Sequence, residues 1–96
     1  MIIGRDVPGS APLRAQVRPA HLARVQALVD EGRLVLAGPN PVIDSPEPGP
    51  AGVSGSLIVA EFASLEDAQA WIAGDPYVTT GVFASTEVLP FLKVFP

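Results

Sequence analysis

The chain contains no cysteine and a single histidine. A disulfide framework, an iron–sulfur cluster and a thiolate zinc site are therefore excluded, and a histidine-rich metal site with them. A carboxylate site for a hard ion such as magnesium would remain, but no acidic cluster at ligand spacing suggests one. Positive charge is also scarce: six Lys and Arg stand against ten Asp and Glu. The arginines at positions 5, 14, 18, 24 and 33 are scattered and form no stripe that could neutralise phosphates, so nucleic acid is not an expected partner. The longest apolar runs, Leu34 to Ala37 and Leu57 to Ala60, fall far short of the ~20 residues that cross a bilayer. The opening Met1-Ile2-Ile3-Gly4-Arg5-Asp6 lacks the basic start and long apolar middle of a signal peptide. The expectation is a soluble cytoplasmic protein without a membrane partner.

What is present is a foldable composition. Of 96 residues 48% are apolar, the formal net charge is only −4, and the 11 prolines and 9 glycines do not make the chain read as disordered. The length predicts one domain over residues 1–96. Met1 to Arg5 reads as a short first strand, stopped by the turn formers Asp6-Val7-Pro8-Gly9-Ser10. Ala11 to Val17 reads as a loose helical turn capped by Ser10, and Pro19 as the first residue of a firmer helix running to about Glu31. Leu22, Val25 and Val29, with His21, Val25 and Leu28, give that helix an apolar stripe. Gly32 suits the left-handed residue that ends a helix.

A second strand is predicted from Arg33 to Ala37, closed by Gly38-Pro39. The prolines and glycines of Asn40 to Ser54 then predict a long loop, which in a small domain reads as a lid, an interface arm or a disordered segment. Gly55 to Phe62 is the clearest strand. Ser64, with Asp67 three residues on, caps a helix that Gly74 ends. Thr86 to Val94 reads as a last strand interrupted by Pro90, as an edge or a bulge allows. No internal repeat is visible.

The order strand, helix, strand, strand, helix, strand is the α+β, ferredoxin-like βαββαβ pattern, an antiparallel sheet with both helices on one face. Strands two and three are nevertheless apolar on both faces, which would leave a large exposed patch on a monomer. The sequence therefore predicts a homodimer packed sheet to sheet.

His21 is the one side chain whose ordinary pKa lies near neutrality, and so the natural general acid or base. Placed in the first turn of a helix, its charged form would be disfavoured. A core histidine satisfied by backbone groups is the competing reading. Asp75, before a proline, suits a cap or an Asx turn; alternatively it accepts a hydrogen bond from His21 and fixes its tautomer, as a triad carboxylate does. Gly52-Val53-Ser54-Gly55-Ser56 enters a strand instead of leaving one, so it is no nucleophile elbow. Gly4 to Ser10 lacks the Gly-Lys pair of a phosphate loop. Trp71 and Phe83 read as core or dimer-seam residues, and the Tyr77 hydroxyl as reaching either a cleft or water.

Several segments together resemble the YciI-like, YCII-related proteins in order and spacing. They are Arg18-Pro19-Ala20-His21-Leu22-Ala23-Arg24, Asp30-Glu31-Gly32-Arg33-Leu34, Ala37-Gly38-Pro39, Gly55-Ser56, Ala68-Gln69-Ala70-Trp71, Asp75-Pro76-Tyr77-Val78 and Pro90-Phe91-Leu92-Lys93-Val94-Phe95. The resemblance implies a ferredoxin-like fold dimerising into an α+β barrel, with an active site built on a histidine and an aspartate. Carried onto this sequence these are His21 and Asp75. Gly38, Pro39, Ser56, Tyr77 and Arg18 are the expected substrate-binding positions. The resemblance also implies elimination or isomerisation chemistry, dehydrochlorinase-like or lactone-isomerase-like.

Two functions follow as expectations. In the first, a cofactor-independent enzyme uses His21 to move a proton on a small cyclic or aromatic molecule while Asp75 orients it, and Arg18 holds an anionic group if it points inward. In the second, a non-catalytic dimer binds a small molecule or serves as an accessory protein, and His21 merely packs.

Overall fold

The first strand holds the centre of the sheet in spite of its shortness. In the computed structural model, which describes residues 1–96, β1 (Ile2–Asp6) pairs antiparallel with β3 (Val53–Ala60) on one side and β4 (Phe83–Val88) on the other. β2 (Leu34–Pro41) pairs antiparallel with β3 and forms the edge, giving the order β2-β3-β1-β4. Two helices connect these strands, α1 (Ala11–Asp30) after β1 and α2 (Leu65–Ala73) after β3, and a one-turn α3 (Pro76–Thr79) precedes β4. This is the α+β, ferredoxin-like arrangement that the element order predicts.

Alternation along the strands decides which side chains meet the helices. Ile2, Ile58, Ala60, Leu34 and Phe83 join Val25, Ile72, Tyr77 and Val82 in one core. The alternate residues Ile3, Leu36 and Leu57 point to the other face of the sheet. No helix packs there, and Leu36 is 50% exposed. Two glycines permit close approach within the sheet. A Cβ at Gly4 would overlap the Phe83 ring, and one at Gly55 would overlap the Gly4 carbonyl oxygen.

Several boundaries differ from the sequence reading; β3, for one, spans Val53–Ala60 where Gly55 to Phe62 is predicted. The helix does not begin at Pro19; it runs unbroken from Ala11, with Pro19 inside it. Proline cannot donate to the carbonyl four residues back, but this stretch of α1 is exposed, so water can take that acceptor. The early turns are held by tertiary contacts instead: Leu13 and Val17 pack on the core, and Arg14 is anchored at both ends. Ser10 occupies the cap position, but its hydroxyl donates to Asp6 (2.6 Å) and does not cap the helix. The buried stripe is His21, Val25 and Leu28, whereas Leu22 and Val29 stay 44% and 47% exposed.

β2 likewise continues past Gly38-Pro39 to Pro41, paired with β3 as far as Val53 with irregularities between Leu34 and Leu36 and between Asn40 and Pro41. An edge strand tolerates proline because one of its sides bonds to nothing. The loop therefore shrinks to residues 42–52 and holds a short 3-10 turn at Gly49–Ala51. The last strand starts earlier than predicted, at Phe83, and stops at Val88, before Pro90. Gly32 ends α1 with φ of 71°, as expected. No helix is long and apolar enough to cross a membrane.

Candidate active site

The short Asp-Pro-Tyr segment builds one half of the site. Asp75 is the N-cap of α3, where its carboxylate accepts from the Tyr77 backbone N–H at 2.9 Å, and Pro76 takes the first helical position. That capping geometry aims the carboxylate at α1. His21 Nδ1 lies 2.9 and 3.0 Å from the two Asp75 oxygens, across 54 positions of sequence. Asp75 thus fills both of the roles weighed for it, as cap and as histidine partner. His21 is 6% exposed and Asp75 0%.

Asp75 has a third partner. Arg24, one turn after His21 on α1, donates to Oδ2 at 3.0 Å, and its other nitrogen donates to the Trp71 carbonyl at 2.7 Å. The same guanidinium lies 4.5 Å from the Trp71 ring centroid, so Trp71, half-buried and packed against the core, also supports Arg24. Burial alone would push the Asp75 carboxyl up. The hydrogen bonds from His21 and the Tyr77 N–H, with the positive charge of Arg24 and that of His21 when protonated, outweigh it and hold the group below its usual value. A carboxylate that stays ionised must be the acceptor, so the ring in its neutral form carries its proton on Nδ1 and leaves Nε2 with a lone pair. Every fully buried side-chain nitrogen and oxygen has a hydrogen-bond partner. Nε2 has none within the chain, so it is the ring atom not sealed from solvent.

Tyr77 fixes the plane of the imidazole. Its ring stacks on His21 with centroids 4.0 Å apart and planes 11° apart, and Phe83 meets it edge-on at 5.4 Å. Tyr77 is 1% exposed; its ring faces the site, and burial pushes its hydroxyl pKa up against the nearby charges of Arg14 and Arg18. The Arg14 guanidinium lies 4.7 Å from the Tyr77 centroid, on an anchor of Asp6 (2.8 Å) and Ser56 (2.7 Å).

The other predicted positions are distributed unevenly around this centre. Arg18 and Pro39 line a cleft of about 780 Å³ between α1 and the 48–54 segment, together with Arg14. Ser56 is buried and committed to Arg14. Gly38 pairs with Leu57 and does not line the cleft. Because α1 starts at Ala11, His21 is mid-helix, and the first-turn argument about its charge does not apply. The sequence reading missed Arg14 and Arg24. Their spacing was the available signal, since residues three, four and seven apart share a helix face with His21. No three His, Asp or Glu side chains converge in a geometry that could hold a metal ion.

The profile of the YCII-related domain matches residues 1–92. The chain belongs to the YCII-related family. Its YCII relatives include Protein YciI of Escherichia coli O6:H1 and of Shigella flexneri, each 56% identical over 95 residues, which is 99% of this chain and 97% of the relative. A Haemophilus influenzae protein is 47% identical over the same shares. Among solved structures, this YCII chain is similar to the 5-chloro-2-hydroxyhydroquinone dehydrochlorinase TftG of Burkholderia phenoliruptrix AC1100, in complex with 2,5-dihydroxybenzoquinone. The TM-score is 0.81 and the identity 26%, over 95% of this chain and 90% of the other.

Proposed function

We propose that this protein is a small cofactor-independent enzyme that moves a proton on a small cyclic or aromatic molecule, in an elimination or an isomerisation. The observation that carries the reading is the contact of His21 Nδ1 with both oxygens of a fully buried carboxylate, with Nε2 left uncommitted. A neutral imidazole so held is a base at Nε2, and Asp75 balances the charge that the ring gains. In an elimination, Nε2 takes a substrate proton while the electron pair it leaves forms the new double bond and expels the leaving group as an anion. The net loss is an acid, HX, and no electron acceptor is required. In an isomerisation the same nitrogen returns the proton at another carbon. Such a positioned group contributes ~10²–10⁴-fold to a rate. The dehydrochlorinase activity of a structural relative supports the elimination branch.

We further propose that the chain acts as a homodimer, with the sheet faces carrying Ile3, Leu36 and Leu57 packed together.

The reading is tested by incubation with 5-chloro-2-hydroxyhydroquinone in deuterated buffer, following chloride release and exchange of ring C–H. Wild type should release chloride or exchange ring hydrogen, and His21→Asn should reduce either rate by ~10² or more while its fold and assembly persist. Activity that survives His21→Asn would remove His21 from the chemistry, and an inactive wild type, or a variant whose only defect is lost stability, would favour the binding-protein reading.

A further inference from the structure

The cleft lined by Arg14 and Arg18 has an unbalanced charge, and His21 and Asp75 do not themselves line it. Its lining includes one acid, Asp6, and two bases, Arg14 and Arg18. Asp6 is already matched: Arg14 donates to it at 2.8 Å and Ser10 at 2.6 Å. Arg18 belongs to none of the ion pairs in the chain. One surplus positive charge therefore stands in this cleft, on a chain whose formal net charge is −4.

Arg18 is exposed, and an isolated exposed arginine would mean little. Its position gives it meaning. It lies three residues before His21 on one continuous helix, which puts their Cβ atoms ~5–6 Å apart. Arg14, one turn earlier, lies over the Tyr77 ring on which the imidazole stacks. The two guanidiniums differ in freedom, because Arg14 is tied to Asp6 and Ser56 and Arg18 can follow a ligand. Pro39, Pro48 and Pro50 also line the cleft, with rigid apolar rings that suit a flat ligand and no N–H donors.

We propose that this cleft binds a small organic anion, an enolised or carboxylated ring, and that Arg18 is the residue that recognises its charge. This deepens the proton-transfer reading and rests on it for the reacting group, although binding can be measured without turnover. Loss of a proton from a ring bearing hydroxyl or carbonyl groups puts negative charge on oxygen. A guanidinium one turn from the base would hold that oxygen before and after the transfer.

The probe is 2,5-dihydroxybenzoquinone, a vinylogous acid ionised at neutral pH, with 2,5-dimethoxybenzoquinone as its uncharged counterpart. By calorimetry the wild type should bind the anion at least about tenfold more tightly than the ether. Arg18→Gln should remove about tenfold or more, roughly 1.4 kcal/mol, from the anion and nothing from the ether, and Arg18→Lys should recover part of the loss. Added salt should weaken the anion in wild type more than in Arg18→Gln. The proposal is overturned if wild type does not bind the anion, if the ether binds equally well, or if Arg18→Gln binds the anion as wild type does. Turnover is measured in parallel. Arg18-dependent binding without turnover keeps the anion site and removes the proton-transfer reading; turnover with Arg18-independent binding does the reverse.

Discussion

Replacing Asp75 by asparagine separates the aspartate's structural and chemical roles in one experiment. The carboxylate accepts from His21 Nδ1 at 2.9 and 3.0 Å, from Arg24 at 3.0 Å and from the Tyr77 N–H at 2.9 Å. A hydrogen bond to a charged acceptor contributes ~1.5–3 kcal/mol. Asparagine keeps one carbonyl oxygen, which can serve one donor, and turns an N–H₂ group toward the others. Arg24, whose side chain is 29% exposed, can turn to water, so its loss is small. The Tyr77 N–H and the His21 ring have no such recourse. The expected net loss is about 2–4 kcal/mol, below the ~3–5 kcal/mol for stranding a wholly buried charge.

The chemical effect of that variant is sharper. An amide N–H pointing at Nδ1 makes that nitrogen an acceptor and moves the ring proton to Nε2. The nitrogen left open for substrate then becomes a donor, and the general-base contribution of ~10²–10⁴-fold disappears. Because the chain has one histidine, nitrogen-edited NMR shows a single imidazole whose protonated nitrogen is read directly, and urea unfolding of the same sample gives the stability change. An Asp75→Asn protein that keeps the proton on Nδ1, or that loses less than about 0.5 kcal/mol, would refute the derivation of the site from this contact.

Three other outcomes follow from the same structure. The Asp75 carboxyl is held below its ordinary value against a burial effect that pushes it up, so its stabilising contribution is present above about pH 4 and lost as pH falls through the folded value. Acid unfolding followed by circular dichroism should fall more steeply for wild type than for Asp75→Asn below pH ~4, and equal slopes would contradict this. Gly4→Ala should cost ~1–3 kcal/mol by overpacking, because the new methyl displaces Phe83, which abuts Tyr77; a wild-type melting temperature would show that the ring has room to move. Leu36→Lys changes a residue that is 50% exposed in the single chain, so it should leave the fold intact while converting a dimer to a monomer in sedimentation velocity. A wild type that is already monomeric, or a variant that stays dimeric, removes the sheet-to-sheet assembly.

The residues that were legible in the sequence are those whose role is local. Ser64 and Gly32 behave as their neighbours dictate, the first accepting from the Asp67 N–H at 3.0 Å and the second taking φ of 71°. Asp75 was legible as a turn former for the same reason, whereas its bond to His21 crosses the fold, and the residues offered that pairing only as an alternative that the family resemblance favoured. The misread boundaries are places where a local rule met a distant contact. Proline at 39 and 41 stops a central strand but not an edge strand. Proline at 19 starts a helix unless earlier turns are fastened elsewhere, as Leu13, Val17 and Arg14 fasten these. That last error also concealed the cleft. Broken at Pro19, the segment has no fixed relation between its arginines and its histidine; continuous from Ala11, it sets Arg14, Arg18 and His21 four and then three residues apart. At 100° per residue all three fall within roughly 60° of one another on the helix surface. The pairing of an anion-holding side chain with a proton-moving one is therefore a property of the unbroken helix, fixed by the contacts that keep its first turns folded.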